Sequence, residues 1–293
     1  MNPPRRALLV VNPKARRGGA GLNELVARLE AAGVHVQTTA YDAPAEISPD
    51  IERRAADHDA VIVAGGDGTV NAAARGLMAT GLPLGVLPFG TANDLARTLG
   101  IPFDVARAAD VVAGGRLRAV DVGTANGHPF FNVASIGLSA TLAKSITPGE
   151  KRRFGRLGYA LAAFRVLLRA RPFSAWITNQ GETVRVKTLQ IAVGNGRHYG
   201  GGNVVEATAA IDDGTLDLYS LEFENVWKLA LMLRAFRSGA HGAWEEVRTH
   251  RCVEFDIATR KPRSVNLDGE ILTETPVHFR IHPQAVRVFV PDH

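Results

Sequence analysis

The first 124 residues alternate short apolar runs with segments of helical periodicity. Residues 7–11, 60–64 and 84–87 are apolar and rich in β-branched side chains, as buried strands are. Between the first two runs, the segment 22–29 places its leucines on one helical face. Alternating strands and helices are typical of a parallel sheet with helices on its faces, where ligands bind outside the carboxyl ends of the strands. We therefore predict a doubly wound α/β domain over residues 1–124.

The pattern changes after residue 124. Short alternating segments follow, separated by turn residues, as in an antiparallel sandwich. They are residues 130–134, 175–178, 184–193, 215–221, 252–257, 264–267, 277–281 and 285–290. We predict an antiparallel β-sandwich-like domain over residues 125–281, interrupted by two helical inserts. The last strand, in residues 282–293, is expected to return to the first domain.

Glycines follow the predicted strand at residues 60–64. The sequence Gly65-Gly66-Asp67-Gly68-Thr69 leads into an Ala-rich segment of good helix propensity. Bare N–H groups at a helix N-terminus point at anions, and glycine lets a polyphosphate approach the main chain. Asp67 would repel phosphate oxygens unless a cation bridges them. The stretch therefore predicts a nucleotide site that needs Mg²⁺, although an ordinary β–α turn could use the same glycines.

A second strand-to-helix junction repeats this logic. It carries the sequence Phe89-Gly90-Thr91-Ala92-Asn93-Asp94, in which Thr91, Asn93 and Asp94 could each cap the following helix. Both junctions belong to neighbouring β–α units and are expected at one sheet edge. Two glycine turns that each carry an aspartate form a better metal–nucleotide site than either turn alone.

Charge narrows the choice of partners. The net charge of +5 and the pI near 9.6 favour an anionic partner, which could be nucleic acid, polyphosphate or acidic lipid. Nucleic acid ranks last, because no aromatic stacking surface is interleaved with the basic residues. The single Cys252 excludes a disulfide framework within the chain and fits a reducing compartment. No run of 18 apolar residues predicts a membrane span.

The two inserts suggest a lipid surface. Residues 144–171 hold eight basic residues against one glutamate, with apolar residues at helical spacing. Such a helix could bind anionic headgroups at a membrane surface, or it could be a solvated face over an ordinary core helix. Residues 226–236 are apolar nearly all round. They could line an apolar cavity or simply belong to the core.

Two late motifs hold carboxylates. The sequence Asp212-Asp213-Gly214-Thr215-Leu216-Asp217 suits a hard cation, but it also suits an Asp-Gly hairpin turn. The triplet Asp268-Gly269-Glu270 could supply the carboxylate base that phosphoryl transfer to a hydroxyl needs, or it could be a surface turn.

These motifs, taken in order, resemble the bacterial soluble diacylglycerol kinase and lipid kinase family, which shares its catalytic domain with sphingosine and ceramide kinases. The resemblance covers nearly the whole chain. Its motifs are residues 65–71, 88–97, 193–196 with 200–202, 213–217 and 268–270. The resemblance implies ATP in the cleft between an α/β domain and a β-sandwich. The acceptor would be a membrane lipid hydroxyl, and the enzyme would be cytoplasmic and peripherally bound to the inner membrane.

The resemblance also implies site residues. The nucleotide would be bound by Asn12, Thr39, Gly65, Gly66, Asp67, Gly68, Thr69, Asn71, Thr91 and Asp94. Asp67 and Asp94, with Asp217 as a further candidate, would organise the catalytic Mg²⁺ through water. A structural metal would lie on Asp213 with main-chain oxygens of Ala210 and Thr215. Glu270 resembles the proposed general base, and Asp268 is the other candidate.

Two departures and two rival functions accompany the resemblance. The loop after Asn12 reads Pro13-Lys14-Ala15-Arg16, where relatives often have Pro-x-Ser-Gly, and Ala72 stands where Glu is frequent. A soluble-substrate kinase of the NAD kinase type also uses Gly-Gly-Asp-Gly-Thr. A catalytically inactive lipid- or nucleotide-binding module is consistent with Ala72. The second junction and the apolar inserts favour lipid, with diacylglycerol, ceramide, sphingoid bases and related lipids all open as acceptors.

Overall fold

The protein forms two lobes. The computed structural model describes residues 4–12, 19–145, 171–195, 198–199, 203–204, 210–222 and 247–292. Several predictions fall wholly or almost wholly outside these ranges: the basic insert 144–171, the apolar insert 226–236, the glycines at 196–202 and the loop 13–16.

The N-terminal lobe is built around a parallel sheet. Its elements are β1 (Arg6–Val11), α1 (Gly19–Ala31), β2 (His35–Ala40), α2 (Ile47–Arg54), β3 (Ala60–Gly65), α3 (Asp67–Thr80), β4 (Leu84–Pro88), α4 (Asp94–Thr98), α5 (Val105–Gly114) and β5 (Leu117–Ala125). The strands β2, β1, β3 and β4 lie side by side in that order, all parallel. Helices α1 and α5 contact each other, as do α2 and α3. Every residue of β3 is buried, which explains its continuous apolar sequence.

The C-terminal lobe is antiparallel. Its elements are β6 (His128–Phe130), β7 (Val133–Gly137), α6 (Leu138–Ser145), β8 (Phe173–Asn179), β9 (Glu182–Thr188), β10 (Gln190–Gly194), β11 (His198–Tyr199), β12 (Asn203–Val204), β13 (Leu216–Leu221), β14 (Val247–Cys252), β15 (Glu254–Thr259), β16 (Ser264–Leu267), β17 (Glu270–Glu274) and β18 (Val277–Phe289). One sheet has the order β14-β13-β10-β7-β16-β17. The strands β15, β8 and β9 extend the other sheet from β18, and apolar side chains of both sheets form one core. The predicted fold class, an α/β domain followed by an antiparallel β domain, is confirmed.

Strand β18 connects the two lobes. Its first half pairs antiparallel with β15, and Val288 near its end pairs parallel with Leu84 of β4. Along most of its length it also pairs antiparallel with β5, with a register shift between His282 and Val286. One strand therefore contributes to the cores of both lobes.

Several element boundaries differ from the predicted ones. Helix α3 begins at Asp67, so that Asp67, Gly68 and Thr69 form its first turn and not a separate loop. The predicted run 184–193 is two strands, β9 and β10, which belong to different sheets. The run 252–257 divides in the same way at Val253. Alternation of apolar and polar residues gives the strand period but does not show where the chain passes from one sheet to the other.

Candidate active site

The two glycine junctions touch each other. Gly65 pairs with Pro88 in the parallel β3–β4 ladder, and the N–H of Phe89 donates to the carbonyl of Gly65 over 3.0 Å. A Cβ atom added to Gly90 would lie 2.5 Å from the Cα of Gly66. The approach of the two backbones therefore requires glycine. As the strand pattern predicted, both bends lie side by side at the carboxyl edge of the sheet.

Asp67 joins the two junctions. Its Oδ1 accepts hydrogen bonds from the N–H groups of Asp94, at 2.7 Å, and Leu95, at 3.4 Å, so the carboxylate from α3 caps the start of α4. Burial raises the pKa of Asp67, and the carboxylate of Asp94 raises it further. Two neighbouring, partly desolvated carboxylates repel each other, and a divalent cation would relieve that repulsion.

The donor set fits Mg²⁺ held by few protein ligands. Within the described ranges, no cluster of three or more His, Cys, Asp or Glu side chains is placed to hold a metal ion. Mg²⁺ characteristically binds through one or two carboxylates and completes its octahedron with water and phosphate oxygens. The Asp67–Asp94 pair is compatible with that mode of binding.

Glu270 reaches the same place from the C-terminal lobe. It follows a tight turn in which Asp268 and Gly269 have φ values of 49° and 102°, and the N–H of Gly269 donates to the Asn266 side chain over 2.8 Å. A Cβ atom on Gly68 would lie 2.6 Å from Oε1 of Glu270, so this carboxylate lies on the first turn of α3. Burial raises the pKa of Glu270 above that of ordinary glutamate. The predicted base and the predicted nucleotide-binding turn are thus in contact.

Asp268 is oriented differently. Its carboxylate accepts hydrogen bonds from three consecutive main-chain N–H groups, those of Phe131 at 2.6 Å, Asn132 at 3.0 Å and Val133 at 2.9 Å. Burial raises the pKa of Asp268 to about 7, and the nearby Asp67 acts in the same direction, while the three donors act to lower it. Of the two acidic residues in the triplet, Glu270 contacts the helix start and Asp268 binds the backbone between β6 and β7.

The remaining predicted nucleotide-binding residues surround the first junction. Asn12 donates to the hydroxyl of Thr69 over 3.3 Å, and Thr69 packs tightly over Gly65. Asn71, one turn after Asp67, is buried, and within the described ranges neither of its amide atoms has a hydrogen-bond partner. Such an amide suits a polar ligand or water. Two further predicted residues lie at the same edge of the sheet: Thr39, near the end of β2, and Thr91, exposed in the second junction.

The predicted metal turn forms a hydrogen-bonded loop. Oδ1 of Asp213 accepts from the N–H of Thr215 at 3.0 Å and from its hydroxyl at 2.7 Å, and Oδ2 accepts from the N–H of Ala210 at 3.4 Å. The carboxylate thus faces main-chain N–H groups at the two residues whose oxygens were predicted as ligands. Both oxygens of the Asp213 side chain accept hydrogen bonds from groups within the turn itself, as in an Asx turn.

Asp217, a further candidate for organising Mg²⁺, lies on β13 of the C-terminal lobe. Its Oδ1 forms an ion pair with Nε of Arg251 at 2.8 Å. In the C-terminal sheet it pairs with Gly194, which pairs with Val133, whose carbonyl accepts from the N–H of Asp268. Three strand spacings of about 4.8 Å separate Asp217 from Asp268 in that row. Asp217 therefore lies in the same row of the sheet as Asp268, and its part in organising Mg²⁺ stays a prediction.

Two buried residues were not assigned a role from the sequence. Asp121 of β5 accepts from the N–H of Gly214 at 2.6 Å and from that of Gln284 at 2.7 Å. Asn195 donates through Nδ2 to the carbonyls of Asp121 and Phe131, at 2.9 and 2.8 Å. A lone aspartate inside an apolar strand and an asparagine between glycines are the signals that could have identified them.

Ala72 packs against the N-terminal core, and its carbonyl accepts from the Ser48 hydroxyl over 2.7 Å. Ala72 therefore adjoins α2.

Comparison with known proteins matches each lobe to a family model. The model described as diacylglycerol kinase catalytic domain matches residues 6–125, and the model described as YegS C-terminal NAD kinase beta sandwich-like domain matches residues 132–290. The chain is 34% identical to a Pectobacterium atrosepticum protein named "Probable lipid kinase YegS-like", over 97% of this chain and 95% of that protein. It is 28% identical to the diacylglycerol kinase of Bacillus subtilis (strain 168), over 98% and 97%.

A solved structure has the same fold. The crystal structure of a diacylglycerol kinase from Bacillus anthracis str. Sterne superposes with a TM-score of 0.83 at 28% identity, covering 98% of each chain. The likeness extends over both lobes.

Proposed function

The chain belongs to the bacterial diacylglycerol kinase and YegS-like lipid kinase family, and from this premise we propose that it transfers the γ-phosphate of ATP to the hydroxyl of a membrane lipid. The observation that carries the proposal is the contact between the Glu270 carboxylate and the first turn of α3. A helix N-terminus with glycines suits phosphate, and a carboxylate beside it suits the proton of an attacking hydroxyl. The two lobes thus supply complementary halves of a phosphotransfer site.

Different residues of the site would bind the triphosphate, accept the proton and hold Mg²⁺. The first turn of α3 and the second glycine bend would receive the triphosphate, because their glycines let main-chain N–H groups approach it. Glu270 would accept the proton as the lipid oxygen attacks phosphorus in line with the leaving ADP. Asp67 and Asp94 would hold Mg²⁺, which when bound offsets charge on the phosphates.

The proposed acceptor is a lipid with a free hydroxyl, such as diacylglycerol, ceramide or a sphingoid base. In its favour are the names of the relatives and the positive net charge of +5, which suits an anionic surface. We propose that the enzyme works in the cytoplasm and binds the inner membrane peripherally. The helices that the structure describes are all too short to span a membrane.

An NAD kinase-type reaction is the second candidate. It is favoured by the C-terminal family model, whose description refers to the NAD kinase β-sandwich. An inactive binding module is the third, because Ala72 replaces a frequent glutamate.

One assay separates these candidates. Labelled γ-phosphate transfer from ATP is measured against diacylglycerol, ceramide, sphingoid base, monoacylglycerol, phosphatidylglycerol and NAD, with wild type, Asp67→Asn and Glu270→Gln. Glu274→Gln, an exposed residue at the other end of β17, is the matched control. We expect label in at least one lipid, with both site variants reduced about 10²- to 10⁴-fold and the control unchanged. Label in NAD alone would refute the lipid proposal, and label in nothing would favour the inactive module.

Membrane binding has its own test. Sedimentation with anionic vesicles should exceed sedimentation with neutral vesicles and weaken as salt rises. Equal binding to both would reject an electrostatic attachment.

A further inference from the structure

Asp268 and Asn195 hold the same three-residue connection from two sides. This connection, residues 131–133, comprises the two residues between β6 and β7 and the first residue of β7, and its three N–H groups all donate to the Asp268 carboxylate. On the other side, Asn195 donates through its side chain to the Phe131 carbonyl and through its main-chain N–H to the Asn132 carbonyl, at 2.8 and 2.9 Å. The N–H of Asp268 in turn donates to the Val133 carbonyl at 3.0 Å.

We call residues 131–133, together with Asp268 and Asn195 that bind them, the clamp. The clamp is adjacent to Glu270 in the sequence. Only Gly269 separates Asp268 from Glu270, and both Asp268 and Gly269 have positive φ values. Asp268 therefore has its side chain and its main chain fixed to the connection, and the next turn places Glu270 on Gly68 of α3. Any displacement of Asp268 would be passed to Glu270 through two peptide units.

The chemistry of the clamp requires a carboxylate. Its two oxygens receive three donors, which suits an acceptor-only group. An asparagine of the same shape would have to turn an NH₂ group towards at least one N–H group. Both oxygens of Asp268 are engaged by the backbone, whereas the Glu270 carboxylate faces the helix start.

We propose that Asp268, supported by Asn195, is a positioning residue that fixes Glu270 against the first turn of α3, and that it is not the catalytic base. This inference rests on the proposed function in assigning the base to Glu270. It extends that function by separating the roles of the two acidic residues in the triplet.

The test compares Asp268→Asn with Glu270→Gln in the full chain. For Asp268→Asn we expect kcat to fall about 10- to 100-fold, the effect of a misplacement near 1 Å, with the KM for ATP within about twofold. The kcat of Asp268→Asn should still fall as the pH is lowered, which we call the acidic limb of the pH profile. The limb remains because Glu270 is still present and acts as a base only when it is deprotonated. Glu270→Gln should lose that limb. A wild-type kcat in Asp268→Asn, or loss of the acidic limb there, would overturn the inference.

A second readout does not need activity. Carbon-13 NMR of the Glu270 carboxyl, assigned with Glu270→Gln, follows its titration in wild type and in Asp268→Asn. The raised pKa of Glu270 should return towards the ordinary glutamate value once the side chain leaves its desolvated place on α3. An unchanged Glu270 titration would contradict the inference even if kcat fell.

Asn195→Ala covers the case in which Asp268→Asn does not fold. It removes the clamp from the other side and leaves the carboxylate at 268, so the same changes in kcat and in the Glu270 titration are expected. If wild type phosphorylates no lipid, the proposed function fails, while the Glu270 titration still decides the positioning role.

Discussion

At the residue scale, Gly68 lies where the two lobes meet, and its lack of a side chain leaves room for Glu270. A methyl group there would meet Oε1 of Glu270 at 2.6 Å, and the far end of that flexible side chain can move away. Alanine also suits a helix better than glycine, by up to about 0.5–1 kcal/mol. We predict that Gly68→Ala keeps or slightly raises the unfolding free energy while it lowers kcat at least tenfold, roughly the effect of a misplaced catalytic group.

Two other glycines serve as controls for Gly68. At Gly114, the last residue of α5, an added Cβ meets nothing within 4 Å, so Gly114→Ala should change neither kcat nor stability by much. At Gly90 the added Cβ meets the Gly66 backbone at 2.5 Å, and backbone cannot yield as a side chain does. Gly90→Ala should lower the midpoint of thermal unfolding. Unchanged kcat in Gly68→Ala would show that the Glu270 contact is not needed for the reaction.

The raised pKa of Glu270 sets a direction for pH dependence. Burial holds the proton on Glu270 above the ordinary value of 4.5, so a base at this position loses activity as the pH falls through the raised pKa. We predict an acidic limb of kcat centred above 4.5 in wild type. The same shift makes the unfolding free energy depend on pH. The contribution of Glu270 to it is fully present below pH 4.5 and is lost as the pH rises through the raised pKa. Glu270→Gln should therefore be the more stable protein at neutral pH, as measured by urea unfolding.

At the scale of elements, the first turn of one helix caps another. Helix α4 has five residues, too few to be stable alone, and its first N–H groups depend on Asp67. Loss of a hydrogen bond to a charged group costs about 1.5–3 kcal/mol. We predict that Asp67→Ala speeds amide hydrogen exchange in residues 94–99 by about 10- to 100-fold and leaves α5 unchanged.

Asp104 provides the matched comparison for this cap. It caps α5 locally, accepting from the N–H of Arg107 at 2.9 Å. Asp104→Ala should loosen α5 by about 1 kcal/mol and leave α4 and phosphotransfer intact. If Asp67→Ala loosened both helices equally, its effect would be global and the proposed cap of α4 would be wrong.

The elements also show what sequence can predict. The β–α alternation and both glycine bends were visible because strand period, helix period and glycine are local signals. Helix α5 was missed although Asp104 and Gly115 mark its ends, so a local signal was overlooked. The break between β9 and β10 was missed for another reason. Thr188 donates to the Leu221 carbonyl, a partner 33 residues away that no local pattern contains.

The same distinction holds within the site. Glu270 and Asp67 stand in recognisable motifs, and the structure brings their surroundings together. The orientation of Asp268 depends on N–H groups more than 130 residues away, and the two bonds to Asp121 come from Gly214 and from Gln284, at the register shift of β18. Side-chain direction in such a turn is set by tertiary contacts, so the sequence left the choice between the two acidic residues open.

At the scale of the whole molecule, β18 couples the lobes. Phe279 near its start is fully buried in the C-terminal core, where it stacks on Phe255 at 5.1 Å and meets Phe130 edge-on at 6.4 Å. Val288 near its end is buried in the N-terminal core. A strand shared by two cores transmits loss of packing from one to the other, so we expect the lobes to unfold as one cooperative unit.

Phe279→Ala tests this coupling. Removing a buried phenylalanine from a packed core costs about 3–5 kcal/mol. We predict that the free energy of opening, measured by native-state hydrogen exchange, falls by the same amount in β15 of the C-terminal lobe and in β3 of the N-terminal lobe. Phe103→Ala is the control: Phe103 is 39% exposed and packs under the Arg97 guanidinium at 4.5 Å, which is worth about 1 kcal/mol or less. Faster exchange in β15 with wild-type rates in β3 would mean that the lobes open independently and that the shared strand does not couple them.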